Sequence, residues 1–102
     1  MTIEEIDRKV AFLLKLRRVL DRDPESMTEL ILQKYVQMGK TQDVAQWLND
    51  CGYRISGVRG SRKYISTDIT EIIDTAENVD EQLIQVVRGM QRAGRLLERH
   101  LE

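Results

Sequence analysis

Four basic side chains, Arg54, Arg59, Arg62 and Lys63, fall within the stretch GYRISGVRGSRKYIS at residues 52–66, which holds no acid. Arginine presents a planar fork of donors that matches phosphate oxygens, and it also suits the narrow, electronegative minor groove of a duplex. Gly57 and Gly60 bracket Arg59, so nothing bulky shields the backbone there from a polyanion. Ser56 and Ser61 add neutral hydroxyls that can donate to phosphate, and Lys40 adds a cation in the preceding helix turn. The chemistry on offer is anion binding along an extended backbone.

Whole-chain charge hides this cluster. The 102 residues carry 16 Lys and Arg against 17 Asp and Glu, a net charge of -1. Asp43 and Asp50 precede the basic stretch, and Asp68, Glu71 and Asp74 follow it. The distribution of charge therefore carries the signal and the total does not. The same cations also fit a solvated hairpin kept basic to discourage edge pairing. What favours phosphate is the pattern immediately before it.

That pattern is helical. Thr2 and Glu5 have capping-box spacing, and behind them Ile3, Ile6, Val10, Leu13 and Leu20 recur at helical intervals. Phe12, Leu16 and Val19 form a second apolar strip, more apolar surface than one short partner needs. This helix should end near DRDP, with Asp23 capping a second helix and Pro24 at its first position. The second helix carries Met27, Leu30, Ile31, Tyr35 and Met38 and stops at Gly39. Thr41 caps a third, TQDVAQWLND, with Val44, Ala45, Trp47 and Leu48 inward and Gly52 as its stop. Two helices separated only by Gly39-Lys40 make a tight helix-turn-helix unit.

Within the basic stretch, YRIS and RKYIS read as two strands around a GVRG turn. Tyr53 and Tyr64 either pair across this hairpin or leave Tyr64 free to reach a phosphate. Ser66 or Thr67 caps a short helix with Ile69, Ile72 and Ile73 inward. Asn78 and Glu81 repeat the capping-box spacing at the start of a last helix. There Leu83, Met90 and Leu97 recur every seven residues beside Val86, Val87, Ala93 and Leu101, a seam suited to a partner helix. Arg88, Arg92, Arg95 and Arg99 lie along another stripe, which reads as a soluble face favoured by the helix dipole.

Other chemistry finds little support. No apolar run approaches the length of a membrane span. Cys51 and His100 are single and far apart, which argues against a Cys/His metal site and for a reducing cytoplasm. No Gly-rich phosphate loop, paired carboxylates or activated nucleophile stands out, so an enzyme is not expected. No cofactor or small-molecule ligand is expected either.

Two family likenesses attach to the residues just placed. GYR and SRKYISTDITEII resemble the wing and following helix of mercury-resistance-type (MerR-like) regulators, through Arg62, Tyr64, Asp68, Ile69 and Ile72. VAQWLNDCG is similar to the IAxxLNxxG helix in the DNA-binding part of serine recombinases. Together they cover only about the middle third of the chain. The MerR-like pattern normally has its helix-turn-helix closer to the chain start, and no recombinase catalytic domain precedes the second likeness. Both imply a helix-turn-helix that binds duplex DNA, commonly as a dimer. They differ over the reading helix: the recombinase register sends TDITEIID into the groove, and the winged register sends TQDVAQWLND.

The expectation is a mainly α winged helix-turn-helix with one small β-hairpin, residues 23–76, flanked by amphipathic helices at 1–22 and 77–102. It would bind double-stranded DNA as a dimeric, nucleoid-associated transcriptional regulator. Lys40, Arg54, Arg59, Ser61, Arg62, Lys63 and Tyr64 would contact the backbone or minor groove. Thr41, Gln42 and Gln46 would approach bases, since the alternative helix carries Asp68, Glu71 and Asp74 toward phosphates. Ile6, Val10, Leu13, Leu83, Val87, Met90 and Leu97 would hold two copies together. The rival is a helical protein-interaction module with an incidental hairpin.

Overall fold

A computed structural model of the chain describes residues 2–101, with side chains described over residues 2–93. Helix α1, Ile3–Asp21, opens on the anticipated capping box: Thr2 Oγ1 accepts the Glu5 N–H at 3.2 Å, and the Glu5 carboxylate accepts the Thr2 N–H at 3.4 Å. The second helix, α2, spans Met27–Met38 and starts later than Asp23-Pro24 predicts. Ser26 is its cap, accepting the Glu29 N–H at 3.1 Å. The reason for the delay is a buried acid. Glu29 is 2% exposed, and its carboxylate accepts from Arg22 Nε at 2.7 Å and from the Glu25 N–H at 3.1 Å. Residues 22–26 wrap around that carboxylate and so cannot continue a helix.

Gly39 ends α2 at φ +79, in the left-handed region that suits glycine, and its N–H donates to Tyr35 O at 2.8 Å. Helix α3, Thr41–Asp50, follows at once. Thr41 is its first residue rather than its cap, because the Lys40 carbonyl already accepts the Val44 N–H at 3.2 Å. Strands β1, Ile55–Gly57, and β2, Gly60–Arg62, form an antiparallel hairpin in the register Ile55↔Arg62, Ser56↔Ser61 and Gly57↔Gly60. Helices α4, Ser66–Thr75, and α5, Glu81–Leu101, complete the chain. The protein is mainly helical with one small hairpin.

The start of α5 also differs from expectation. Asn78 adopts φ +58 in the linker, and Asp80 instead accepts the Leu83 N–H at 3.1 Å. A left-handed residue cannot open a helix, so the cap falls two positions later.

One core joins α2 to α5. Ile31 and Leu32 from α2, Val44 and Leu48 from α3, Ile69 and Ile73 from α4, and Leu83 and Val87 from α5 are all essentially inaccessible. The burial of Leu83 and Val87 corrects their expected place in a seam between copies: they close the chain's own core, and Met90 packs against it half-buried. The anticipated contacts of Leu97, Arg95 and Arg99 lie outside the described side chains. Helix α1 adds only Val19 to the buried set. Its C-terminal turn is held by Gln33, whose side-chain amide donates to Val19 O at 3.0 Å and Arg22 O at 3.2 Å. Among the described residues no helix is long and apolar enough to cross a membrane.

Gln33 is 4% exposed, so Gln33→Leu leaves two backbone carbonyls of α1 without their donor. Urea unfolding should give a stability lower by about 2 kcal/mol at unchanged m-value. A loss within a few tenths of the wild type would show that α1 is held by other means.

Candidate nucleic-acid interface

The hairpin contributes almost nothing to the core. Every residue of β2 is exposed, and in β1 only Ile55 and Gly57 are half-buried. Burial alone cannot orient such an element, so polar contacts at its base must do so. Two sets are present.

The first joins β2 to α4. The Arg62 guanidinium meets the Asp68 carboxylate in a two-pronged contact, both N···O distances 2.7 Å, and also donates to Lys63 O at 3.0 Å. Asp68 is 6% exposed and stands at the third position of α4, where it accepts the Ile65 N–H at 2.9 Å. An acid in a first helical turn is favoured by the dipole, and fork-to-carboxylate pairing fixes orientation as well as distance. The bonds from Arg62, opposed by burial and aided by the Ile65 N–H, hold the Asp68 carboxyl below its ordinary 3.8. The same contact raises the Arg62 pKa.

The second set joins α3 to the segment after β2. The Asn49 side chain donates to Tyr64 O at 2.9 Å and accepts the Tyr64 N–H at 2.8 Å, pairing with one residue as a strand would. Arg54 lies close by, donating to Asn49 O at 3.2 Å and Tyr53 O at 2.6 Å, so its charge sits at the C-terminal end of α3.

These contacts sort the expected binding residues. Tyr64 is 6% exposed and belongs to the core, and burial with Asp68 nearby pushes its phenol pKa up. Its ring therefore packs inward and is not the cross-strand partner of Tyr53. Tyr53 instead lies beside Trp47, ring centroids 6.3 Å apart, while Lys34 of α2 sits 4.5 Å over the Trp47 ring. Arg62 is engaged by Asp68, although its side chain remains 46% exposed. Arg54 is tied to carbonyls but meets no acid among the described residues. Arg59, Lys63 and Lys40 are exposed and have neither ion pair nor side-chain hydrogen bond among the described residues.

The tip itself is a Val58-Arg59 loop between Gly57 and Gly60. Val58 is fully exposed. Gly60 takes φ +111, in the region that favours glycine, and a Cβ on Gly57 would sit tightly at 3.1 Å from Gly60 O. On α3, Gln42 and Gln46 are exposed and Thr41 is half-buried. Residues 42, 46 and 49 follow the i, i+4, i+7 interval of one helical stripe. The two glutamines thus share a stripe with Asn49, which grips the base of the hairpin. Asp43 and Asp50 are exposed on the adjoining stripe, and α4 turns Thr67, Glu71 and Asp74 outward.

Among the described residues no group of three His, Cys, Asp or Glu side chains is placed to hold a metal ion. No known protein family, curated protein or solved structure matches the chain. The tie made by Asn49 was within reach of the sequence only through the Leu-Asn pair of VAQWLNDCG. The MerR-like pattern singles out both Arg62 and Asp68, but nothing in it says that the two side chains pair.

The sign of the Asp68 effect follows from its depressed pKa. An unfolded-state carboxyl near 3.9 binds protons before the folded one does, so the contribution is complete above about pH 5 and fades as pH falls through both values. Asp68→Asn should therefore be less stable than wild type at neutral pH, with the gap narrowing as pH falls through and below the ordinary carboxylate range in urea titrations. A gap independent of pH would mean that the charge of Asp68 is not what stabilises the joint.

Proposed function

We propose that this chain binds double-stranded DNA in the manner of a small transcriptional regulator. The hairpin tip grips the phosphate backbone or enters the minor groove, and α3 faces the bases of an adjacent major groove. The observation that carries this reading is the tip: a glycine-bounded, fully exposed loop bearing Arg59, with no acid on it, at the end of a hairpin anchored by two polar clamps. A loop kept basic only for solubility has no need of a fixed orientation.

The cations divide by role. Arg59, Lys63 and Lys40 supply phosphate contacts, with Ser61 as a neutral donor. Arg54 adds charge at the base of the hairpin, and Arg62 chiefly positions the hairpin through Asp68. Gln42 and Gln46 are the residues for base edges, since the glutamine side-chain amide can accept from adenine N6 with its oxygen and donate to N7 with its nitrogen. The outward carboxylates of α4 disfavour that helix as the reader, because Glu71 and Asp74 would face phosphates.

Fluorescence anisotropy with a mixed-sequence duplex across a salt series tests this. Log affinity should fall linearly with log salt, at a slope of about -0.9 per phosphate contact. Replacing Arg59 and Lys63 together by Ala should make the slope shallower by about two units and leave the circular dichroism spectrum unchanged. No duplex affinity in dilute buffer by a folded protein, or a slope that ignores the double substitution, would end this reading.

A further inference from the structure

Helix α1 displays two apolar strips on different sides. Phe12, Leu16 and Val19 turn toward the body of the protein, where they line a groove with Leu83 and Val86 of α5. The other strip faces solvent, with Ile3 78%, Ile6 45%, Val10 50%, Leu13 60% and Leu14 52% exposed. At about 100° per residue the strips lie roughly 140° apart around the helix, so one neighbour cannot cover both. The chain's own elements cover Val19 and half-bury Leu16 of the first, with Phe12 still 50% exposed at the groove's edge, and leave the second bare.

We infer that the bare strip is covered by α1 of a second copy, running antiparallel across a two-fold axis. Three features point to this occupant. Ile3, Ile6, Val10 and Leu13 alternate at three and four, and Leu20 continues the register, as in a helix-pair seam. The five side chains expose roughly 500 Å² of apolar surface, so a symmetric pair buries about 1,000 Å², the level that separates a specific interface from a chance contact. The stems of Lys9 and Arg17 extend that area.

Charge then selects the direction. The N-terminal half of α1 carries Glu4, Glu5 and Asp7 against Arg8 and Lys9, a net negative half, and its C-terminal half carries Lys15, Arg17 and Arg18 against Asp21, a net positive one. A parallel pair would set like charge against like along its length. An antiparallel pair sets each acidic half against a basic half, which makes one helix complementary to its own copy. Two-fold symmetry requires that self-complementarity. In this arrangement Ile3 of one copy lies near Leu20 of the other, and the two Ile3 side chains stand about 25 Å apart, from 1.5 Å of rise per residue.

The inference does not rest on the nucleic-acid reading, because assembly is measured without duplex. Sedimentation equilibrium of the full chain should give twice 11.9 kDa. Leu13→Glu lies on an exposed site and should keep the helical spectrum while weakening dimerisation at least about a hundredfold. Direction is read in a Cys51→Ser background, which removes the exposed native thiol. A mixture of Ile3→Cys and Leu20→Cys proteins should crosslink to each other under mild oxidation, and Ile3→Cys alone should not. A monomer across a hundredfold range of concentration, a dimer indifferent to Leu13→Glu, or ready crosslinking of Ile3→Cys with itself would each overturn the inference.

Discussion

The joint between Arg62 and Asp68 is the constraint on which the proposed interface depends. A two-stranded hairpin that meets the core only through the half-buried Ile55 has little hydrophobic reason to hold one orientation, and alone in water it would be marginal at best. Here its second strand ends in a guanidinium locked on both oxygens of a buried carboxylate. That carboxylate also organises the first turn of α4. The hairpin therefore inherits the rigidity of a helix that belongs to the core. Asn49 does the same from the other side, by pairing with the backbone of Tyr64.

This arrangement explains why a basic segment is not uniformly available for binding. Two cations at the base of the hairpin are spent on architecture, while Arg59 at the tip and Lys63 just after β2 are left to solvent. Arg62 answers Asp68, and Arg54 caps the carbonyl end of α3, whereas Arg59 and Lys63 have no such commitments. A binding surface built this way places its free charges on a fixed frame, which lowers the ordering cost of association. The polar cluster around Glu29 plays a comparable structural part at the far end, where it ties the end of α1 to α2 and reaches Asp80 ahead of α5.

The helices were legible because their apolar residues recur at helical intervals, and the hairpin was legible from its glycines and β-formers. Helix starts were not always readable. Asp23-Pro24 and Asn78 have the right residue types, but with Glu29 buried and Asn78 left-handed the caps are Ser26 and Asp80, and Ser26 with Glu29 has the same spacing as Thr2 with Glu5, so two local signals competed. The basic residues were visible as a cluster, yet composition cannot show which of them an acid six positions away will engage. Leu83 and Val87 show the same limit: a seven-residue repeat fits a partner helix and the inside of a domain equally well, and only packing decides. Tyr64 fits either side of the hairpin by sequence, and its burial at 6% exposure puts its ring in the core.

The most direct test of the account is a ¹⁵N-resolved NMR titration of the folded chain with a short duplex. The account predicts that the largest shift changes fall on the amides of residues 57–63 and on the side-chain amides of Gln42 and Gln46, while Ile69 and Leu48 stay still. Changes confined to α1, or none at all in dilute buffer, would contradict it.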